Sequence, residues 1–332
     1  MTVPPAARLL LWPLSLLYGE LTRLRAWLYA KGFLQQQRLN RPVISVGNLT
    51  VGGTGKTPMV IWLAERLLAD GKRVGILSRG YKGSAGTSDE IELMKFRLQE
   101  RAVFGVNPKR YEQGQRLESN VDVFLLDDGF QHLQLARDLN ILLIDAAQPL
   151  AKQMLLPTGR LREPVSAMSR ADVLVFTRTE TVRGTTAAIA KLQDYPVFSA
   201  ATRLLGFRRF GDGIQVLRPD EMGAGPFYAF CGIGNPRAFF QNLRNWNFEL
   251  AGHCEFPDHH RYDARDAHEL EQAAQNAGAK ALLTTEKDAQ NLSGVDFSAT
   301  PLFVATINLE ISNEESFLAL VHDKLSARMS VV

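Results

Sequence analysis

The sequence predicts an α/β protein: a parallel sheet sandwiched by helices, a second and smaller α/β domain, and an amphipathic helix ahead of both. Three observations carry this expectation. Short apolar runs alternate with helical segments from residue 42 onward, the pattern of a parallel sheet covered on both faces. A glycine-rich turn follows the first of these runs. A second alternating series begins at Phe227, after a stretch at 205–225 rich in Gly, Arg and Pro that reads as a linker. The 332 residues suffice for about two domains. The expected boundaries are 1–40 for the helix, 41–208 for the first domain and 209–332 for the second, with the last helix able to pack back on the first domain. No internal repeat and no low-complexity tract is present.

The elements follow in order. Leu10, Leu14, Leu17, Leu21, Leu24 and Leu28 recur at spacings of four and three and mark one face of a helix. Arg23, Arg25 and Lys31 lie in its second half, with Trp12, Trp27 and Tyr29 beside them. Such a helix either packs its leucine face on the protein or lies in an anionic membrane surface. Val43–Val46 reads as a buried strand, followed by the glycine-rich loop and a helix from Pro58 to Ala69. Pro58 suits a first helical turn, where its missing N–H costs nothing. Further strands are expected at Arg73–Leu77, Val121–Leu126, Leu139–Ile144 and Val173–Phe176. The second domain reads as strand Phe227–Cys231, helix Pro236–Asn245, strand Phe248–His253, helix Asp263–Ala277, strands Ala281–Thr285 and Leu302–Thr306, and a helix near Glu314–Ser326.

Composition excludes several classes. At 45% hydrophobic and 22% charged, the chain is not disordered. Two cysteines, Cys231 and Cys254, make a disulfide framework unexpected and fit a reducing cytoplasm. The net charge of +3 is unevenly placed: residues 1–41 hold Arg8, Arg23, Arg25, Lys31, Arg38 and Arg41 against Glu20. The rest of the chain has 32 basic residues against 34 acidic ones, which argues against a nucleic-acid-binding body. No run reaches the roughly 18–20 apolar residues of a spanning helix; Leu9–Tyr18 is short and interrupted by Pro13 and Ser15. No small-residue cleavage site follows it, so a signal peptide is not expected.

The chemistry-bearing residues cluster at expected strand ends. In Thr50-Val51-Gly52-Gly53-Thr54-Gly55-Lys56-Thr57 the glycines let successive N–H groups face one anion at the positive end of the next helix. Lys56 would reach the β- and γ-phosphates of ATP, and the Thr57 hydroxyl would ligate Mg2+. Thr50 stands where the general pattern has its first glycine. The strand ending in Leu126 releases Asp127-Asp128-Gly-Phe-Gln131-His132. A carboxylate there is the expected magnesium partner of a phosphate-binding loop, and either Asp127 or Asp128 could hold the ion. Arg160-Leu-Arg162-Glu163-Pro164 and Ser78-Arg79-Gly-Tyr81 supply guanidinium groups suited to phosphate. Phe256-Pro-Asp258-His259-His260, with His253 and Cys254 nearby, matches no structural zinc spacing; an acid–histidine pair serving a hydroxyl fits better. Gly232-Ile-Gly-Asn-Pro236 is a truncated dinucleotide turn with nothing to support it.

Taken together, Ser45–Pro58, Ser78–Lys82, Leu126–His132, Gly159–Pro164 and Phe256–His260 resemble the tetraacyldisaccharide 4'-kinase (lipid A 4'-kinase) family, whose loop also carries the threonine at position 50. The resemblance implies a P-loop kinase-type fold in which two α/β domains flank the active site. It implies ATP-dependent phosphorylation of the 4'-hydroxyl of an acylated glucosamine disaccharide 1-phosphate, at the cytoplasmic face of the Gram-negative inner membrane. By the same resemblance, Thr57, Asp127 and Glu163 would serve magnesium. Arg79, Tyr81, Gln131, His132 and Arg162 would meet the substrate, and Asp128 would join Lys56 in catalysis. His259 with Asp89 would activate the hydroxyl, although Ser88 and Ile91 stand where the family pattern Gly-Asp-Glu-Pro has Gly and Pro. A four-chain substrate stays in the bilayer, at about 0.8 kcal/mol per exposed methylene, which favours the membrane reading of the N-terminal helix. No obligate protein partner is evident. A membrane-associated nucleotide switch of the ATPase-partitioning type would carry a lysine where this loop has Val51.

Overall fold

The computed structural model describes residues 5–80, 88–150, 153–181, 195–213 and 215–329. The chain forms two compact units: residues 1–86, 97–201 and 310–332 make the first, residues 87–96 and 202–309 the second. The change of unit thus falls at 201/202 rather than at 208, and 87–96 belongs with the second unit instead of the first.

In the first unit the strands are β1 (Val43–Asn48), β2 (Val74–Ser78), β3 (Ala102–Val106), β4 (Val123–Asp127), β5 (Leu139–Asp145), β6 (Val173–Thr177) and the start of β7 (Val197–Arg209). They pair in the order β3-β2-β4-β1-β5-β6-β7, all parallel. The apolar runs are buried on both sides, as in Val43, Ile44, Val46 and Phe124–Leu126, which is why they do not alternate. Because the strands are parallel, Asn48, Ser78, Asp127, Asp145 and Thr177 all end at one edge. That edge, where the chain passes from β4 on one side of β1 to β5 on the other, is where open α/β sheets hold ligands.

Helices α2 (Lys56–Ala69), α4 (Arg110–Leu117) and α8 (Glu314–Met329) flank this sheet. Trp62 of α2 meets Phe317 of α8 edge-on at 5.6 Å, and Phe317 meets Phe198 of β7 at 5.0 Å. All but Phe198 are wholly shielded from solvent. Phe317→Ala is therefore expected to cost about 3–5 kcal/mol of unfolding free energy, read from denaturant midpoints at unchanged slope.

Helix α1 (Pro5–Ala30) belongs to this unit, and it packs the opposite way from a core helix. Its leucine stripe faces outward: Leu10, Leu14, Leu17, Leu21 and Leu24 are each more than half exposed. The buried side is small and polar. Ser15 Oγ lies 2.8 Å from Thr158 Oγ1, and the Tyr18 hydroxyl donates to the Arg162 carbonyl at 2.8 Å. A Cβ on Gly19 would meet Leu155 Cδ1 at 2.7 Å. No described helix is long and apolar enough to cross a membrane.

The second unit contains β9 (Phe227–Cys231), β10 (Leu250–Glu255), β11 (Leu282–Thr285) and most of β12 (Leu302–Ile311), parallel in the order β10-β9-β11-β12. Helix α5 (Pro236–Asn245) starts on an Asn235 cap with Pro236 at its first position. Helix α6 (Ala264–Asn276) has a reciprocal Asp263/Asp266 capping box, and the short α7 (Glu286–Ala289) is capped by Thr285. Phe207, Phe227, Phe240 and Phe248 fill one core and Phe230, Tyr262, Leu270 and Leu292 another.

The stretch expected as a linker is partly sheet. Residues 205–209 complete β7, and β8 (Val216–Leu217) pairs back antiparallel onto Phe207–Arg208. Arg208 is buried with its guanidinium 4.7 Å over the Phe96 ring, so a charged letter sits at an inward strand position and hides the strand. Three further elements carried no readable pattern: β3, α4 and α3 (Asp89–Leu98).

Candidate active site

The first cluster is built on the ends of β1 and β4. The glycine-rich loop leaves β1 at Asn48 and enters α2 through Gly55, whose φ of 85° is left-handed; Gly52 has φ 102°. Both conformations favour glycine, and a Cβ at Gly52 would stand 2.2 Å from Arg160 Nη2. A second strand-like segment straps the loop in place. Val51 N donates to the Arg160 carbonyl at 2.8 Å and Arg162 N to the Leu49 carbonyl at 2.7 Å. The Arg160 guanidinium donates to the Val51 carbonyl through Nε and Nη2 at 3.1 and 2.8 Å.

Lys56 Nζ lies 3.3 Å from Asn48 Oδ1 and 3.5 Å from Asp128 Oδ1. Arg162 converges on the same place. It donates to Asp128 Oδ2 at 2.8 Å, Asn48 Oδ1 at 2.8 Å, Gln131 Oε1 at 3.2 Å and the Thr50 carbonyl at 3.2 Å. Gln131 Nε2 closes the ring on the Asn48 carbonyl at 2.9 Å. Burial acts to raise the Asp128 pKa, but Lys56 and Arg162 outweigh it and hold the carboxyl at about 2. Asp128 is therefore an anion between two cations at any physiological pH.

The two neighbouring aspartates point apart. Asp127 ends β4 in extended backbone, nearly buried, and accepts from Ser78 Oγ at 3.0 Å. Asp128 turns into the left-handed region at φ 47°, which swings its carboxylate towards Lys56. Arg110, at the start of α4, donates to the Asp128 carbonyl at 3.3 Å; burial lowers its pKa against the pull of Asp127 and Asp128. Arg137 ties down the turn through the carbonyls of Gly129, Phe130 and His132. Burial, and then Arg110 and Arg137, depress the His132 pKa to about 4, so its imidazole is neutral at pH 7.

The donor set at this edge suits a hard cation. Thr57 sits in the first turn of α2 and the Asp127 carboxylate at the end of β4, both oxygen donors of the kind Mg2+ takes. Glu163 is more committed: Arg170 donates to both of its oxygens, at 2.9 and 2.8 Å. Among the described residues no three His, Cys, Asp or Glu side chains gather as a metal cage. A magnesium ion shared between a few protein oxygens and phosphate needs none. Arg79 is exposed just past β2, and Tyr81 lies outside the described residues.

The second cluster lies within the second unit. Asp89 opens α3, and its carboxylate meets His259 Nδ1 at 3.0 and 2.9 Å. The Asp89 side chain is almost wholly buried while the His259 ring is about half exposed (3% and 46%). The hydrogen bond to Asp89 raises the His259 pKa. On Asp89, burial acts upward but is outweighed by His259 and Lys287, so its pKa is lowered. With Nδ1 turned to Asp89, the neutral ring presents Nε2 as its proton acceptor. Lys287 Nζ stands 2.9 Å from Asp258 and 3.6 Å from Asp89, and Asn291 donates to Asp89 at 3.3 Å. The other zinc-suggestive side chains go elsewhere: His260 pairs with Asp266 at 2.8 Å, and His253 lies against Phe240 with centroids 4.5 Å apart.

Sequence reading missed Asn48, Arg110, Lys287 and Asn291. Asn48 and Lys287 carried a signal, each being a polar residue at or just past the end of a buried strand. Arg110 and Asn291 had none, since only the fold brings them to their partners.

Comparison with known proteins agrees with this construction. The family model for tetraacyldisaccharide-1-P 4'-kinase matches residues 7–326. Tetraacyldisaccharide 4'-kinase of Geobacter metallireducens is 40% identical, with 91% of this chain and 94% of that protein covered. The Geobacter sulfurreducens protein of the same name is 41% identical over 92% and 90%. The crystal structure of LpxK from Aquifex aeolicus in complex with ATP superposes with a TM-score of 0.76 at 32% identity, covering 96% of this chain and 99% of that one. Loop, aspartate pair, arginine strap and acid–histidine pair occur here on the fold of that structure, and the chain belongs to the tetraacyldisaccharide 4'-kinase family.

Proposed function

We propose that this chain transfers the γ-phosphate of Mg-ATP to the 4'-hydroxyl of a tetraacyldisaccharide 1-phosphate, giving the 1,4'-bisphosphate of lipid A biosynthesis. The observation that carries the reading is the convergence of Lys56, Arg162 and Asp128 on Asn48, directly beside the glycine-rich loop.

The roles proposed follow from the chemistry of each side chain. The loop N–H groups and the start of α2 bind the β- and γ-phosphates. Lys56 neutralises charge on the transferred group, and Arg162 holds Asp128 and the loop in register. Thr57, Asp127 and Glu163 would hold magnesium, which would supply further charge neutralisation. Arg79, Tyr81, Gln131 and His132 are assigned to the acceptor. His259, oriented by Asp89, takes the proton of the 4'-hydroxyl on Nε2 as that oxygen bonds to the γ-phosphorus and ADP departs.

The exposed leucine stripe of α1 supports work at a membrane surface, reached from the cytoplasmic side where ATP is present. Monomeric proteins rarely leave so large an apolar face in water. Leu17→Glu with Leu21→Glu is expected to reduce binding to anionic vesicles about tenfold or more, measured by flotation. Thermal stability should change little, since both side chains are more than half exposed.

ADP release that depends on the lipid acceptor separates the kinase from an ATP-hydrolysing switch. Equal turnover with and without the acceptor would sink the proposal.

A further inference from the structure

The mechanism above leaves the partly buried cation Lys287 unused. Lys287 lies on α7, just after β11 ends, with a side chain only 18% exposed. Its ammonium stands 2.9 Å from Asp258 Oδ1 and 3.6 Å from Asp89 Oδ2. Those are the two carboxylates that flank the His259 ring: Asp89 at Nδ1, and Asp258 with an oxygen 3.8 Å from Nε2. The ammonium thus bridges the acids on either side of one imidazole. Asn291, four residues on, donates to Asp89 Oδ2 at 3.3 Å.

The residue after Lys287 grips the same loop from behind. Asp288 has no solvent exposure. It accepts from Gly232 N at 2.7 Å, the Tyr262 hydroxyl at 2.9 Å and Thr285 Oγ1 at 2.6 Å. The Gly232 carbonyl in turn accepts from His259 N at 3.1 Å. His259 itself has φ 64°, a conformation that a non-glycine residue keeps only where neighbours enforce it. One helical turn therefore fixes both the backbone of His259 and the carboxylate it meets.

We infer that Lys287 is a positioning residue: its ammonium holds Asp89 and Asp258 against the His259 ring and opposes the pull of both carboxylates on it. The inference rests on His259 being the base of the proposed transfer. Two carboxylates beside an imidazole favour the imidazolium, which cannot take a proton, and a fixed cation between them opposes this. The charged groups around Lys287 are Asp89 and Glu90 of α3, Asp258 and the adjacent Asp288, with the His259 ring alongside. Burial would lower the Lys287 pKa, but Asp89, Asp258 and Glu90 outweigh it and raise it, so the ammonium persists across the working range.

The test uses the full chain in detergent with Lys287→Met, Lys287→Arg and Asp258→Asn. Two quantities are read: the His259 pKa by imidazole NMR, with His259→Gln as the assignment control, and the acid limb of kcat/KM. Lys287→Met should raise the His259 pKa by about one pH unit and move the acid limb with it, so that activity recovers at alkaline pH. Lys287→Arg should keep the wild-type limb. Asp258→Asn, at a partly exposed position, should move both quantities the other way, and it tests the inference even if Lys287→Met does not accumulate. An unshifted His259 pKa in Lys287→Met and Asp258→Asn overturns the inference, as does an activity loss equal at every pH. A shifted pKa with an unmoved acid limb supports the clamp and instead overturns His259 as the base.

Discussion

Lys56→Ala is expected to lower phosphate transfer on the order of 10³-fold or more while leaving the protein folded. The size follows from the position of the ammonium. It sits at the mouth of the loop, 3.3 Å from Asn48 Oδ1 and 3.5 Å from Asp128 Oδ1, and the loop N–H groups around it carry only partial charge. The neighbouring Arg162 is already spent on Asp128, Asn48 and Gln131. Protonation of Asp128 does not explain the loss. Its pKa of about 2 rises without Lys56, but Arg162 still bonds it, so it remains ionised at pH 7. Steady-state kcat/KM alongside a thermal melt measures the effect, and near-normal turnover in a folded variant would refute the role given to this loop.

The second large effect concerns the proton. His259→Gln is expected to lower kcat about 10²- to 10⁴-fold with little change in ATP affinity, measured by binding of a non-hydrolysable analogue. Asp89→Asn should act through the same group, so the double variant should lose little beyond the worse single one. The pH sign is fixed by geometry. Asp89 raises the His259 pKa above its ordinary 6.5, and the ring accepts a proton only when neutral. Wild-type kcat/KM should therefore rise with pH through a limb above 6.5, and Asp89→Asn should move that limb downward. The charged His259–Asp89 pair also stabilises the fold. That contribution is full below pH 6.5 and lost as pH rises through the folded-state value. Additive losses in the double variant would contradict the pairing.

Much of the first unit was legible because its strands are buried on both faces. β1, β4, β5 and β6 appear as mainly Val, Ile, Leu and Phe runs, and strand, glycine loop and helix is a local pattern. β3 was not legible: Ala102–Val106 is short, carries Gly105 and is only partly buried. β7 was hidden because its inward Arg208 lies over the Phe96 ring, an arrangement that hydropathy reads as surface. The N-terminal helix was visible in its leucine spacing, but which face it buries depended on Ser15 and Gly19, residues without an apolar signature. The unit boundary at 87–96 was beyond reach, since α3 belongs to the second unit through Asp89, His259 and Lys287, contacts of about 170 to 200 residues in sequence separation.

The candidate site divides along the same line. Lys56, Thr57, Asp127, Asp128 and Gln131 lie within contiguous motifs at strand ends, and Arg162 within a contiguous motif between β5 and β6, so their type was readable. Asp89 was chosen despite its altered neighbours, and it does meet His259 in the fold. Asn48, on which Lys56 and Arg162 converge, was passed over because an asparagine at a strand end announces no chemistry. Lys287 was passed over because its partners come from two distant segments.

The most direct test of the central proposal follows the phosphate itself. Purified protein is incubated in detergent with magnesium, ATP labelled at the γ-phosphate and a tetraacylated glucosamine disaccharide 1-phosphate, and the lipid product is examined by 31P NMR. The expected result is a second phosphomonoester on the 4' position that carries the label, absent with Lys56→Ala. Label recovered only as inorganic phosphate, or on a lipid without the disaccharide, would contradict it.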